Sequence, residues 1–253
     1  MRRIGVAVAT AVATLASGFV LAQEKPGTIG RVGFFVPKPG AAQQFEQARK
    51  KHFEFHRRSN DQWAWFTWQV VTGEHTGTYI TGTFGHHWKD FDAYEKLDKA
   101  DTADADATMG PFVQSEFPRY FAYIPEASRP PEGKEPTPFS QVTHFYLKPS
   151  GVPGFLAAIK EAKLALDKVE WPIRSSWYQL VSGGEGPQFV LVTARSSWAD
   201  FEPGAKTLDQ ALAEMYGPQK ATTLMDAVRD NTRYTFSELL RYRPDLSYIP
   251  AMK

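Results

Sequence analysis

A chain that repeats itself must build its fold from two like halves. The stretch YITGTFGHHWKDFD, residues 79–92, and the stretch FVLVTARSSWADFE, residues 189–202, each end a β-like run in Trp-x-Asp-Phe plus an acid, 110 positions apart. Setting Val32 against Val142 and reading without a gap to Asp92 against Glu202 aligns 61 pairs, of which fourteen are identical. Chance supplies about four, so the pattern is a duplication. The ends agree as well: YIPEAS at Tyr123–Ser128 answers YRPDLS at Tyr242–Ser247, now 119 apart. The second copy therefore carries nine extra residues after its Trp-x-Asp-Phe segment.

Each copy presents its elements in one order. VGFFVPKPG and VTHFYLKPSG are β-rich runs closed by Lys-Pro, which stops a strand and admits a helix. AAQQFEQARKKHFEFHRR and FLAAIKEAKLALDK carry apolar residues at helical spacing. WAWFTWQVVTG and RSSWYQLVSGG, each followed by a Gly-containing turn and a second β run, form a hairpin pattern. Ser197-x-x-Asp200 has the form of a capping box, which predicts Trp88 and Trp198 in the first turn of a second helix. Strands near Arg119–Ile124 and Tyr234–Tyr242 complete strand, helix, strand, strand, helix, strand.

That order resembles a ferredoxin-like unit. Two in tandem resemble the dimeric α+β barrel superfamily, an α+β fold with both halves in one chain, similar to NIPSNAP-like proteins or antibiotic-biosynthesis monooxygenases. The resemblance implies two four-stranded sheets enclosing a cavity with helices outside. It covers about residues 31–248, with units at 31–128 and 139–248 joined by the Pro-rich segment 129–138. It rests on element order and duplication, and therefore speaks to fold more than to function.

The N-terminus reads MRRIGVAVATAVATLASGFVLAQ: two arginines, an apolar run from Ile4 to about Val20, and a small-residue site ending at Ala22. This is the pattern of a secretory signal peptide, residues 1–22, with a mature chain from Gln23 that is periplasmic or secreted and free of the membrane. Loss of Arg2 and Arg3 leaves 27 basic residues against 28 acidic, a balance that gives no attraction to nucleic acid. Absence of cysteine excludes disulfides and thiolate metal sites, so stability must come from an apolar core.

The duplication also supplies an internal control on candidate site residues. His52 and His56 lie four apart on one helix face, where copy two has Ala162 and Leu166. Such a pair can ligate a metal, but a site needs a third ligand and no HExxH signature is present; local hydrogen bonding is the expected role and no metal is expected. His86 and His87 replace Ser196 and Ser197 at a strand-to-helix junction, with His87 in the capping position and His86 as a candidate rim residue. His144 sits inside a strand, opposite Phe34 of copy one, and becomes a polar cavity group if that face turns inward; the pattern leaves both faces open. Gln69 and Gln179 are identical across copies, while Arg174 and Arg195 occur only in copy two. The aromatic run Trp63, Trp65, Phe66 and Trp68 either lines a ligand pocket or forms plain core. His144, His86, Arg195, Trp65, Gln69 and Gln179 are the candidate ligand contacts.

No phosphate-binding glycine pattern and no Gly-x-Ser-x-Gly elbow occurs. The resemblance also extends to chlorite dismutases, haem proteins with two such units and an axial histidine on a helix of the second. Here the only histidine after His87 is His144, on a predicted strand, which weighs against haem, and no other cofactor is expected. Because no acid–base constellation can be assembled from the sequence, the expected function is exported binding of a small apolar ligand or a partner without catalysis. The alternative is a cofactor-independent monooxygenase-like enzyme.

Overall fold

The computed structural model describes residues 25–133 and 135–251; the expected signal peptide lies outside them. Strand β1 (Ile29–Pro37) leads into helix α1 (Ala42–Arg58), followed by β2 (Phe66–Val70), β3 (Tyr79–His86), α2 (Trp88–Thr108) and β4 (Val113–Tyr123). The second half repeats this with β5 (Phe139–Leu147), α3 (Val152–Lys168), β6 (Ser175–Ser182), β7 (Gln188–Arg195), α4 (Leu208–Tyr216), α5 (Pro218–Asn231) and β8 (Thr232–Tyr242). Local devices repeat with the sequence. Asn60 and Glu170, equivalent positions just past α1 and α3, both take left-handed φ, 51° and 49°. Gly73 and Gly183 do the same in the two hairpin turns, at 91° and 95°, a conformation that glycine adopts at no steric cost.

The eight strands close into one antiparallel barrel in the order β1-β3-β2-β8-β5-β7-β6-β4. Each half contributes a four-stranded sheet, and two seams join them: Trp68, Gln69 and Val70 pair with Tyr242, Arg241 and Leu240, and Tyr120–Tyr123 pair along β6. The tails cross over. A 3₁₀ turn at Pro125–Ala127 brings Ile124 and Ala127 of the first half into the core around Phe155 and Trp177 of the second. Its counterpart at Pro244–Leu246 brings Leu246 against Phe45, and Tyr248 against Phe53. Each half thus completes the other's core.

Strand parity sorts the side chains. Val32, Ile80, Phe121, Val142, Val190 and Leu240 meet inside the barrel, while alternate residues such as Phe35, Tyr79, Trp177 and Phe189 pack under the outer helices. One element departs from expectation. Trp88 opens the 21-residue helix α2, but Trp198 opens only a 3₁₀ turn, Trp198–Phe201, that ends at Glu202. The capping box Ser197–Asp200 forms as predicted. The extra residues then re-enter helix at Thr207, and Gly217 (φ 78°) followed by Pro218 breaks that helix into α4 and α5. No helix among the described residues is long and apolar enough to cross a membrane.

Candidate functional site

The barrel encloses a cavity of about 350 Å³ walled by inward-facing side chains such as Val32, Phe34, Phe66, Trp68, Phe84 and Tyr178. Pro130, Pro131 and Pro136 of the inter-half segment form part of its wall. The size and apolar character suit a small organic ligand. Ser140, Ser176, Thr137 and Glu135 bring polar groups to the wall, and two further features stand out. The Trp68 indole N–H is buried without a hydrogen-bond partner, and His144 turns inward from β5.

His144 is 6 % exposed and stacks on Phe236 at 4.4 Å. Gln188 Nε2 donates to its Nδ1 at 2.9 Å, which leaves the ring proton on Nε2, facing Glu238 Oε2 at 3.9 Å. The other oxygen of Glu238 contacts Nδ1 of His75, whose side chain is 55 % exposed in the β2–β3 turn. Burial, with the charges of Arg119 and His75 acting the same way, pulls the His144 pKa down to about 4. The imidazole is therefore neutral at physiological pH. A line of groups runs from the cavity through His144 and Glu238 to a surface histidine.

A second polar cluster lies outside the barrel, between α1, α2 and the first sheet. His52 and His56 project from one face of α1. His52 Nδ1 meets Asp104 Oδ1 at 2.8 Å and His56 Nδ1 meets Asp61 Oδ2 at 2.8 Å. The two Nε2 atoms approach each other to 3.2 Å and lie 3.0 and 3.3 Å from Asp101 Oδ1. Asp61 also accepts from Tyr94 Oη at 2.7 Å, Trp65 Nε1 at 3.0 Å and the Trp63 amide at 2.9 Å. Burial would raise its pKa, but these hydrogen bonds together outweigh burial and hold it below the usual carboxylate value. Tyr94 is pushed well up, first by burial and then by donating to Asp61. Against the cluster, Arg49 is 3 % exposed with Nε and Nη2 unpartnered, and burial draws it down to about 10.

The six candidate ligand contacts therefore separate. His144 lines the cavity. Trp65 precedes β2 in opposite parity to Phe66 and Trp68, so it points outward and binds Asp61. Gln69 also faces outward, donating to Tyr79 Oη and facing Arg243. Gln179 lies between the inward Tyr178 and Leu180, on the other face of β6. Arg195 fixes the 3₁₀ turn by donating to the Asp200 carbonyl and stacking on Phe201. His86 is buried outside the barrel, 3.8 Å from the Trp63 ring and within 2.6 Å of Thr83 Oγ1, its pKa lowered by burial. His87 occupies the N-cap of α2 as the pattern predicts. Trp68 was named only as part of the aromatic run, and Glu238, Asp101 and Asp104 were not singled out from the sequence. Asp101 and Asp104 lie in the run ADTADADA, which reads as a solvated acidic face; only their spacing of three, facing the spacing of four on α1, could have signalled a shared site.

No family model matches this chain, and no curated protein does either. Solved structures do. A protein described as a candidate monooxygenase from Lactobacillus acidophilus NCFM superposes with a TM-score of 0.55 at 8 % identity, over 90 % of this chain and 97 % of that one. An anthrone oxidase-like protein gives 0.51 at 13 % identity over 86 % and 92 % of the two chains. A chlorite dismutase variant from Candidatus Nitrospira defluvii gives 0.56 at 10 % identity over 88 % and 93 %. The expectation of a non-catalytic binding protein is corrected by these neighbours, which bear the names of enzymes. The likeness spans nearly all of each neighbour, and the chain has the fold of the dimeric α+β barrel superfamily, two ferredoxin-like units joined in one polypeptide.

Proposed function

We propose that the protein is a small-molecule enzyme that oxidises a flat, apolar substrate inside the barrel, with oxygenase chemistry that draws on no bound cofactor. The observation that carries this reading is the buried, neutral His144 in an apolar cavity, linked through Glu238 to His75 at the surface. The names of the monooxygenase and anthrone oxidase-like neighbours support the reaction class.

The Trp68 indole N–H orients a substrate oxygen. His144 accepts a proton from an activated C–H at Nδ1 as the substrate displaces the Gln188 amide. With a pKa of about 4 the imidazole does not hold that proton; the Nε2 proton passes to Glu238, 3.9 Å away, as the side chains close that gap, and on to His75. The resulting carbanion is electron-rich enough to react with dioxygen. For a methylene centre the balance is R₂CH₂ + O₂ → R₂C=O + H₂O: the carbon loses four electrons, one oxygen atom stays on it and the other leaves as water.

The packing of the second half weighs against a haem there. Phe155 and Ile159 of α3 pack onto Leu147, Trp177 and Phe189 of the sheet, Ala165, Leu212 and Ala221 close the contact between α3, α4 and α5, and those helices carry no histidine. Export of the mature chain from Gln23 is part of the same proposal and rests on the N-terminal pattern alone. The test is dioxygen uptake with anthrone-type and phenolic substrates. Uptake that His144→Phe abolishes, while the fold survives, is expected; no uptake with wild-type protein, or undiminished uptake with His144→Phe, overturns the reading.

A further inference from the structure

We infer that His52, His56 and Asp101 form a mononuclear site for a divalent first-row transition metal, separate from the barrel cavity and independent of the reaction proposed there. The three ligand atoms, His52 Nε2, His56 Nε2 and Asp101 Oδ1, make a triangle with edges of 3.0, 3.2 and 3.3 Å. With metal–ligand distances of about 2.0–2.2 Å, that triangle seats an ion about 1 Å out of its plane with ligand–metal–ligand angles of about 100°. This lies between tetrahedral and octahedral geometry. Three ligands with the remaining positions open is the pattern of a site that binds a further ligand.

The surroundings argue for an ion in the same place. Each imidazole has its Nδ1 against a carboxylate, Asp104 for His52 and Asp61 for His56. That arrangement fixes Nδ1 as the protonated nitrogen and turns Nε2 outward as a lone-pair donor, as outer carboxylates do around metal-bound histidines. Three lone pairs then converge. Although both Nε2 atoms are near, Asp101 Oδ1 is buried and receives no well-formed hydrogen bond, so a cation is what the triangle lacks. Charge points the same way: Asp61, Asp101, Asp104, Asp106 and Glu116 surround the triangle against Arg49 and an Arg31 that Asp98 already pairs, an acidic excess that favours a cation.

A small chamber of about 70 Å³, lined by the two histidines, Asp101, Arg31, Arg49 and Glu116, adjoins the triangle. Arg49, with its two unpartnered nitrogens, stands ready for a small anion or oxygen ligand on the open face of the metal. The duplicated half shows what the same helix does without this duty. His52 and His56 align with Ala162 and Leu166, which sit beside an apolar cluster.

The test is titration of the metal-free full-length mature protein with Zn²⁺ and, separately, Co²⁺, followed by calorimetry and by the visible absorption of bound Co²⁺. One equivalent per chain, a raised melting point and Co²⁺ bands of four- or five-coordinate form are expected. The double variant His52→Ala, His56→Leu, which copies the second half, should fold and bind neither ion. Asp101→Asn, which keeps the shape, should weaken binding, and Asp104→Asn, which removes only an orienting carboxylate, should weaken it about 10–100-fold. Folded wild-type protein that binds no stoichiometric Zn²⁺ or Co²⁺, or an Asp101→Asn variant that binds as tightly as wild type, overturns the inference.

Discussion

The two halves share strand order, turns and caps, yet they fill the space between helices and sheet in opposite ways. Under α3, α4 and α5 the filling is apolar: Phe155 and Ile159 meet Trp177 and Phe189 of the sheet, and Ala165 and Leu212 are fully buried between the helices. Under α1 and α2 the equivalent space holds two imidazoles, three aspartates and an arginine. Burying so many polar groups is costly unless each finds a partner. The first half meets that requirement around Asp61, which takes donors from His56, Trp63, Trp65 and Tyr94. The second half has Trp171 at the position of Asp61 and needs no such network. One fold thus tolerates both fillings.

That contrast predicts which changes hurt. Asp61→Ala should be the most damaging, because it strands four buried donors at once; a loss of about 3–5 kcal/mol in denaturant unfolding is expected. A small loss would mean that the network is not what holds the first half together. Leu212→Ala in the second half removes apolar filling instead, and should cost about 3 kcal/mol without altering metal titration. The barrel side of the comparison is pH-dependent. His144 is protonated in the unfolded chain below about 6.5 but in the folded chain only below about 4. Its contribution is thus fully present above pH 6.5 and lost as pH falls toward 4, a change of about 3 kcal/mol at most. His144→Phe, which copies Phe34, should flatten that window; an unchanged slope would place the titration elsewhere. The smallest effect belongs to Trp198→Ala. Trp198 is 57 % exposed at the start of a short 3₁₀ turn, and about 1 kcal/mol or less is expected from thermal melts.

Much of the fold was legible because the duplication reports it twice. The Lys-Pro strand ends, the paired hairpins and the Ser197–Asp200 cap all appear where the pattern puts them. Trp198 shows the limit: its cap is local and readable, but whether a helix continues past it depends on the inserted residues and on Gly217 and Pro218 downstream. The sites were harder. Alternation along β5 marks His144 and Phe34 as facing the same way but cannot say which face is the inside; barrel closure decides that. His52 and His56 were visible as a pair. Their third partner lies on another helix, outside the aligned region, and nothing local distinguishes Asp101 from its exposed neighbours.

The two seams, β2 with β8 and β4 with β6, lie within a single chain. Where a barrel is assembled from two separate subunits, closing it is a bimolecular step and its melting point falls on dilution. Here the partner half is tethered at a fixed effective concentration, so the melting point should not move between micromolar and nanomolar protein. The tether has a further effect. In a two-subunit barrel every substitution is made on both sides of the axis, whereas in this chain each is made once, so one half can carry charge where the other carries grease.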